Sequence, residues 1–231
     1  MQQYRQSELM DDPSLDVEQH VLALRGLERI NWWSASVHTL WPPIQALVGE
    51  EPTGAFRVLD IATGAGDVPM TLWHRARRAG VQLAVDGCDH SPIAITHARQ
   101  RAKQRQADVT FFEWDVLTQQ IPQGYDVATC SLFLNHLNEA HVVELLRAMA
   151  QAARRLVVIS DLVRSRAGLA LAYLGTRLLS TSAVVHVDGP RSVQAAYTIE
   201  EIRGLAMQAG MDDAAVLPCW PWRYRLVWKK P

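Results

Sequence analysis

The sequence predicts an α/β protein built on a doubly wound, mostly parallel seven-stranded sheet with an antiparallel C-terminal edge. From residue 56 onward, short apolar runs bounded by turn residues alternate with longer amphipathic runs, a pattern typical of a sheet covered by helices on both faces. A glycine-containing turn follows the first apolar run, and two short apolar runs lie close together near the end.

The alternation predicts each central element in turn. The predicted strands are Arg57–Ile61, Gln82–Cys88, Val109–Trp114, Asp126–Leu132 and Arg155–Ser160. The predicted intervening helices are Asp67–Arg78, Pro92–Arg105 and Glu139–Ala153. Strands separated by helices of this length favour parallel pairing.

The segment 162–197 departs from this alternation. It begins with a small-residue, helix-like run, RAGLALAYLGTRLLS, and continues through VVHVDGPRS, which we interpret as a turn-rich stretch. A capping-box pattern at Thr198 predicts a helix that ends near Gly210. The final strands, Ala214–Leu217 and Arg223–Lys229, are joined so briefly that they must pair antiparallel.

The first 50 residues read as a helical leader, with helical periodicity over Asp16–Ile30 and Ser36–Val48. We therefore divide the chain into a leader or lid segment, 1–50, and an α/β domain, 51–231. Within that domain, 162–197 is an insertion that we expect to form, together with the leader, a lid over the carboxyl edge of the sheet.

Composition excludes several classes of function. The chain has 48% hydrophobic and 20% charged residues and a net charge of −1. The overall charge therefore gives no electrostatic attraction to nucleic acid. Three cysteines without ligand spacing indicate free thiols and no metal site. Without a signal peptide or a membrane-length apolar run, we expect a cytoplasmic protein with no stable membrane insertion. A homodimer remains an open alternative.

The turn after the first strand contains Gly64 and Gly66. Glycines at a strand's carboxyl end let the backbone approach a ligand, and the following helix N-terminus favours an anion. The dinucleotide fingerprint G-x-G-x-x-G fails here, because its third glycine position is Pro69. A plain tight turn is the alternative interpretation.

Acidic residues follow the next two strands. Asp89 is placed to hydrogen-bond ribose hydroxyls, with Asp86 as a rival inside the strand and helix capping as a structural alternative. Asp115 follows the third strand in a similar position.

The motif Asp60-Ile-Ala62-Thr-Gly64-Ala-Gly66 resembles the D-x-G-x-G-x-G signature of class I S-adenosylmethionine-dependent methyltransferases, with alanine at the first glycine. That alanine leads us to expect no positive φ there. DHSP after the second strand and YDVATCSLFLNHL at the fourth resemble the same family, over about residues 56 to 161. The leader RINWWSASVHTLW is similar to the ubiquinone/menaquinone biosynthesis methyltransferases, and the tail to methyltransferases of polyketide and quinone-like small-molecule pathways.

The resemblance implies a Rossmann-like fold and S-adenosylmethionine as cofactor, with S-adenosylhomocysteine as product. The cofactor-binding residues it implies are Asp60, Ala62, Thr63, Gly64, Gly66, Asp89, His90, Asp115, Val116, Cys130 and Ser131.

Methyl transfer to a phenol or an enolisable carbon benefits from a nearby base, and histidine suits neutral pH. His186 and His136 are the catalytic candidates. The candidate substrate-binding residues are Trp32, Trp33, His38, Asn135, Asp161, Arg164 and Tyr173, with pairing to Asp161 as the alternative role of Arg164. We expect a small aromatic, phenolic or quinone-like acceptor; O- and C-methylation both remain open. A silent cofactor-binding scaffold and a nicotinamide-dependent oxidoreductase are the rival functions.

Overall fold

A computed structural model describes residues 1–12, 14–33, 36–51 and 54–231, with the side chains at 11, 28 and 31–36 outside the description. The described residues include one seven-stranded sheet. Its strands are β1 (Phe56–Ile61), β2 (Leu83–Asp89), β3 (Val109–Glu113), β4 (Tyr125–Ser131), β5 (Ala153–Leu162), β6 (Ala215–Cys219) and β7 (Arg223–Lys229).

The α-helices are α1 (Val17–Trp33), α2 (Ser36–Glu50), α3 (Asp67–Arg78), α4 (Pro92–Gln104), α5 (Glu139–Ala152), α6 (Arg166–Leu179), α7 (Ala183–Ala195) and α8 (Ile199–Gln208). Two short 3-10 helices accompany them, at Leu9–Asp11 and Leu134–His136. The predicted central elements are confirmed to within a few residues at each end.

The strand order is β3-β2-β1-β4-β5-β7-β6. The first five strands pair parallel, while β7 pairs antiparallel with both β5 and β6. This arrangement confirms the predicted fold class, including its antiparallel edge hairpin. Chain order reverses between β1 and β4, and ligands of open α/β sheets bind at that crevice, outside the carboxyl ends of the strands.

Two apolar cores hold the sheet between helical layers. Val58 and Val127 face the helices α2 and α3, and Leu59 and Ala128 face the opposite layer, which contains α5 and α8. Alternate residues of one strand point to opposite faces, and both faces are covered. The central strands are therefore rich in apolar residues, and their carboxyl ends are held in a fixed register.

The expectation of a turn-rich VVHVDGPRS is wrong, because that stretch lies within helix α7. Ser182 caps the helix by accepting a hydrogen bond from the Val185 N–H. Val184 and Val185 are buried against Ala23 of α1. Tertiary packing therefore outweighs the local preference of Asp-Gly-Pro for a turn.

The helices α1, α6 and α7 contact one another. Residues 1–10, which we call the N-terminal strap, run along α7. The Tyr4 N–H donates to the Gln194 carbonyl over 3.1 Å, and Asp188 accepts from the N–H groups of Leu9 and Met10 over 2.9 and 3.0 Å.

Candidate functional site

The turn after β1 combines a ligand-facing position with a packing position. Gly64 has φ +53°, and a Cβ added there would meet nothing within 4 Å. Gly66 has φ +74°, but a Cβ there would lie 2.5 Å from the Phe111 ring. The two glycines therefore serve different purposes, since Gly64 leaves open space while Gly66 allows α3 to pack closely.

The expectation that Ala62 needs no positive φ is wrong, because its φ is +53°. Leu132 and Trp222 also have positive φ, of 55° and 48°. All three line the same cavity. Non-glycine residues in the left-handed region cost on the order of 1–3 kcal/mol each and cluster at functional sites. Backbone strain is thus concentrated around this cavity.

The buried Asp60 side chain forms hydrogen bonds with the turn that follows β1 and with the neighbouring strand β4. It is 1% exposed and accepts hydrogen bonds from Thr63 Oγ1 over 2.8 Å and from Thr129 Oγ1 over 2.7 Å. Burial raises the pKa of the Asp60 carboxyl to about 7, although the two hydroxyls favour the charged form. The Asp60 side chain therefore joins β1 to β4 beneath the cavity floor.

Asp89 connects the end of β2 to the glycine turn. Its Oδ2 accepts from the Gly64 N–H over 2.8 Å, and its Oδ1 accepts from the Ser91 N–H over 2.9 Å. Helix α4 is capped by Ser91 rather than by Asp89. The rival Asp86 forms an ion pair with Arg57 at 3.1 Å. Of the two acids, Asp89 is therefore the one beside the glycine turn.

The loops after β2 and β3 lie next to each other. The Trp114 N–H donates to the Asp89 carbonyl over 2.9 Å, and His90 is close enough to contribute to the lowered pKa of the Asp115 carboxyl. The larger causes of that lowering are hydrogen bonds from the Leu117 N–H and the Thr118 hydroxyl. Val116 is partly buried against the neighbouring apolar core. These predicted cofactor residues form a group beside the cavity rather than in its wall.

A cavity of about 240 Å³ begins at the glycine turn and extends between the helices above the sheet. Its strand-end wall is formed by Ala62, Thr63, Gly64, Ala65, Asp67, Val68, Ser131, Leu132 and Leu162. Its helical wall is formed by Leu24, Leu27 and Ile30 of α1, by Gly168, Leu171, Ala172, Gly175, Thr176 and Leu179 of α6, and by Gly189, Ser192 and Val193 of α7. The cavity is completed by Glu8, Met10, Asn135, His136, Pro221, Trp222 and Arg223.

Asn135 and His136 both line this cavity, as does Ser131. Cys130 is fully buried behind it, and burial raises the pKa of its thiol. Asp161 is also buried, and its Oδ2 accepts from the N–H groups of Phe133 and Leu134 over 2.9 and 2.7 Å. Its side chain therefore holds the 3-10 helix that carries Asn135 and His136, and does not itself line the cavity.

His186 lies outside the cavity wall, with its Nε2 2.8 Å from the Ser180 carbonyl oxygen. Its neighbours Asp188 and Arg191 hold the strap: Asp188 accepts from two strap N–H groups, and Arg191 donates to the Ser7 carbonyl over 2.9 Å. These contacts give α7 a structural role in fixing the strap.

Three predicted substrate-binding residues lie elsewhere. His38 is exposed, 2.6 Å from Arg75 Nη2, and its pKa is lowered by desolvation and by Arg75. Tyr173 points outward beneath the Arg177 guanidinium. Arg164 pairs with Glu201 rather than with Asp161.

Trp32 and Trp33 end helix α1, but their side chains lie outside the described residues. The predictions for these two tryptophans remain predictions.

Three charged residues in the cavity wall, Glu8, Asp67 and Arg223, are not among the site residues predicted from the sequence. Glu8 reaches it from the strap, with its Oε2 3.8 Å from His136 Nε2 and its other oxygen accepting from the Ser192 hydroxyl. Nothing in the polar strap sequence signals that role. Arg223 begins β7 and is 2% exposed; desolvation lowers its pKa to about 10. Nothing in the sequence of β7, RYRLVWK, distinguishes Arg223 from Arg225 as the arginine that reaches the cavity.

Within the described part of the chain, no cluster of three or more His, Cys, Asp or Glu side chains is arranged to hold a metal ion. Among the same residues, no helix is long and apolar enough to cross a membrane.

Residues 58–155 match the family model described as "Methyltransferase domain". A demethylmenaquinone methyltransferase of Thermus thermophilus is 36% identical over 105 residues, which is 44% of this chain and 46% of that protein. The chain thus aligns with less than half the length of this curated relative.

Solved structures resemble the whole fold. A magnesium protoporphyrin IX methyltransferase from Synechocystis PCC 6803 with bound S-adenosylhomocysteine has a TM-score of 0.59 at 17% identity, over 86% of this chain and 85% of that one. An O-methyltransferase family 2 protein from Planctomyces limnophilus in complex with apigenin has a TM-score of 0.67 at 17% identity, over 95% and 63%. Residues 58–155 therefore resemble a methyltransferase domain, and the chain as a whole has the Rossmann-like fold of these solved methyltransferases.

Proposed function

We propose that the protein is an S-adenosylmethionine-dependent methyltransferase that acts on a small aromatic, phenolic or quinone-like acceptor. The observation that carries the proposal is the continuity of one cavity from the glycine turn to an apolar helical chamber containing His136. The domain match over residues 58–155 and the S-adenosylhomocysteine in the Synechocystis structure support the cofactor assignment.

The residues around the glycine turn fit this cofactor. The open space at Gly64 admits close approach to the backbone, and Asp67 begins α3 at the cavity wall. Asp89 retains acceptor capacity for ribose hydroxyls, because each carboxylate oxygen has two lone pairs and the described N–H donors use one on each. His90, Asp115 and Val116 would then flank the adenine.

The glycine turn and Asp89 would hold S-adenosylmethionine, which would supply an electrophilic methyl group for transfer to an acceptor oxygen or carbon. The chain's own contribution is to align the acceptor and exclude water. The leucines of α1 and α6 provide the apolar enclosure. The leader and segment 162–197 together act as the lid over this chamber.

We infer that His136 is the base that removes the acceptor's proton. It lines the chamber, whereas His186 does not. The Glu8 carboxylate, 3.8 Å from His136 Nε2, would stabilise the imidazolium that forms on proton transfer. A base at this distance from a fixed carboxylate serves O- and C-methylation equally.

Calorimetric titration with S-adenosylmethionine and S-adenosylhomocysteine tests the cofactor, with NAD and NADP in parallel. We expect both sulfur nucleosides to bind and Asp89→Ala to weaken them. Preference for a dinucleotide would instead support an oxidoreductase. Mass-spectrometric detection of methyl uptake by phenols and quinols then separates an enzyme from a silent cofactor-binding scaffold.

A further inference from the structure

Gly175 lies in the interior of helix α6 without a packing reason. A Cβ added there would meet nothing within 4 Å, and the residue lines the cavity. The other two glycines of the chamber are different: a Cβ at Gly189 would lie 2.4 Å from Thr176 Cγ2, and one at Gly168 would lie 2.9 Å from Ser165 Oγ. Glycine inside a helix is about 1 kcal/mol less favourable than alanine. The space beside Gly175 is therefore left open at a cost in helix stability.

The chamber beside Gly175 is apolar on the helical side. Leu24 and Leu27 of α1 line it opposite Leu171 and Ala172 of α6. Such walls accept a flat hydrocarbon body and offer it few hydrogen bonds. Polar side chains that line the cavity include Glu8 of the strap and Asn135 and His136 of the 3-10 helix Leu134–His136, and we call these three the polar end of the chamber.

At that polar end, Asn135 is 2% exposed, and its Oδ1 has no hydrogen-bond partner among the described residues. A buried amide oxygen left in that state costs about 1–3 kcal/mol. Rotation about the Cβ–Cγ bond presents either the oxygen or the nitrogen of the amide to the cavity. A polar group of a ligand that forms a hydrogen bond with this amide would remove that free-energy cost.

We propose that Asn135 and Gly175 determine acceptor specificity: Asn135 binds a second hydroxyl beside the methylated position, and the space at Gly175 admits a further fused ring. The preferred acceptor class is thus a polyhydroxylated aromatic of two or more rings. This proposal rests on the proposed function, because it assigns the helical chamber to the acceptor.

The test measures binding and so does not require turnover. Calorimetry on the full chain, with and without S-adenosylhomocysteine, uses three probes: 2,3-dihydroxynaphthalene, 2-naphthol and catechol. We expect the wild type to bind 2,3-dihydroxynaphthalene about tenfold more tightly than either of the others, each of which lacks one hydroxyl or one ring.

Two variants address the two residues separately. Asn135→Leu should bring the affinities for 2,3-dihydroxynaphthalene and 2-naphthol within about twofold of each other. It should not lower the melting temperature, because Oδ1 has no described partner to lose and its burial cost is removed. Gly175→Leu should weaken 2,3-dihydroxynaphthalene about tenfold and leave catechol within about threefold, since the added side chain fills the ring space. The matched control is Gly204→Leu on α8, where a Cβ also meets nothing within 4 Å but the residue lies outside the cavity wall.

Unchanged selectivity in Asn135→Leu, or an equal effect of both glycine variants, would overturn the proposal. So would a wild type that binds S-adenosylhomocysteine and none of the three probes. Weaker binding of S-adenosylhomocysteine by Asn135→Leu would reassign the amide to the cofactor. Failure of S-adenosylhomocysteine to bind the wild type would instead contradict the proposed function. The titrations of the three aromatic probes in its absence would still measure whether the chamber binds them.

Discussion

The Gly64 N–H donates to Asp89 Oδ2 over 2.8 Å, so the turn after β1 and the end of β2 form one hydrogen-bonded unit. A change in the Asp89 carboxylate therefore affects both the proposed ribose site and the turn that contains the strained Ala62.

Asp89→Asn should weaken S-adenosylhomocysteine binding by at least about tenfold, because a charged acceptor of hydroxyl and N–H donors becomes neutral. Isothermal calorimetry measures the change. Asp86→Asn is the matched control, since Asp86 binds Arg57 and the Tyr125 hydroxyl, whereas Asp89 binds the glycine turn. Equal losses in both variants would contradict the assignment of Asp89 to the cofactor.

Gly66→Ala should lower the free energy of unfolding by about 1–3 kcal/mol, because its Cβ would lie 2.5 Å from the Phe111 ring. Chemical denaturation gives the value. Phe111→Leu removes the ring, so the double variant should lose less than the sum of the single losses. Strict additivity would mean that this contact is not the reason for the glycine.

Stability should fall as pH rises from about 4 to 7, in part through Asp60. Its folded pKa is about 7 against an ordinary 3.8, so across this window the folded state keeps a proton that the unfolded state releases. The contribution is fully present below the unfolded pKa and is lost through the folded pKa. Asp60→Asn should flatten this part of the profile, by a few kcal/mol at most. Denaturation midpoints at several pH values test it, and an unaltered slope would exclude Asp60.

His136→Gln should lower kcat by at least about 100-fold if it is the base. Glu8→Gln should lower kcat by about tenfold, since it removes the charge that stabilises the imidazolium. Steady-state kinetics with saturating cofactor provide the measurement, and calorimetry checks that cofactor binding is retained. His141→Gln, on the exposed face of α5, is the control. A larger loss of kcat in His186→Gln than in His136→Gln would identify His186, on α7, as the base.

The sheet could be predicted from the sequence because its central strands are buried on both faces, which makes runs such as 156–159 continuously apolar. Helix α7 could not be predicted, since contacts with α1 and the strap override the turn preference of Asp-Gly-Pro. A pattern of local residues carries no record of such partners.

The residues of the candidate site also divide into those that the sequence could predict and those that it could not. Gly64 and Asp89 follow strands directly, so strand position predicted that they would lie together. Glu8 and Arg223 reach the cavity from opposite ends of the chain, and no spacing rule relates them. His186 looked equivalent to His136 in sequence, yet only the fold determines which imidazole faces the chamber.

The N-terminal strap joins α7 across a sequence separation of nearly 180 residues, as the Leu9–Asp188 and Met10–Asp188 bonds record. Contacts between residues so distant along the chain form slowly, because the entropic cost of closing a long loop comes before the contacts can stabilise the closed form. During synthesis, the sheet strands β1 to β5 can assemble before α7 emerges from the ribosome. The wall that carries Glu8 can therefore be completed only after α7 has been synthesised.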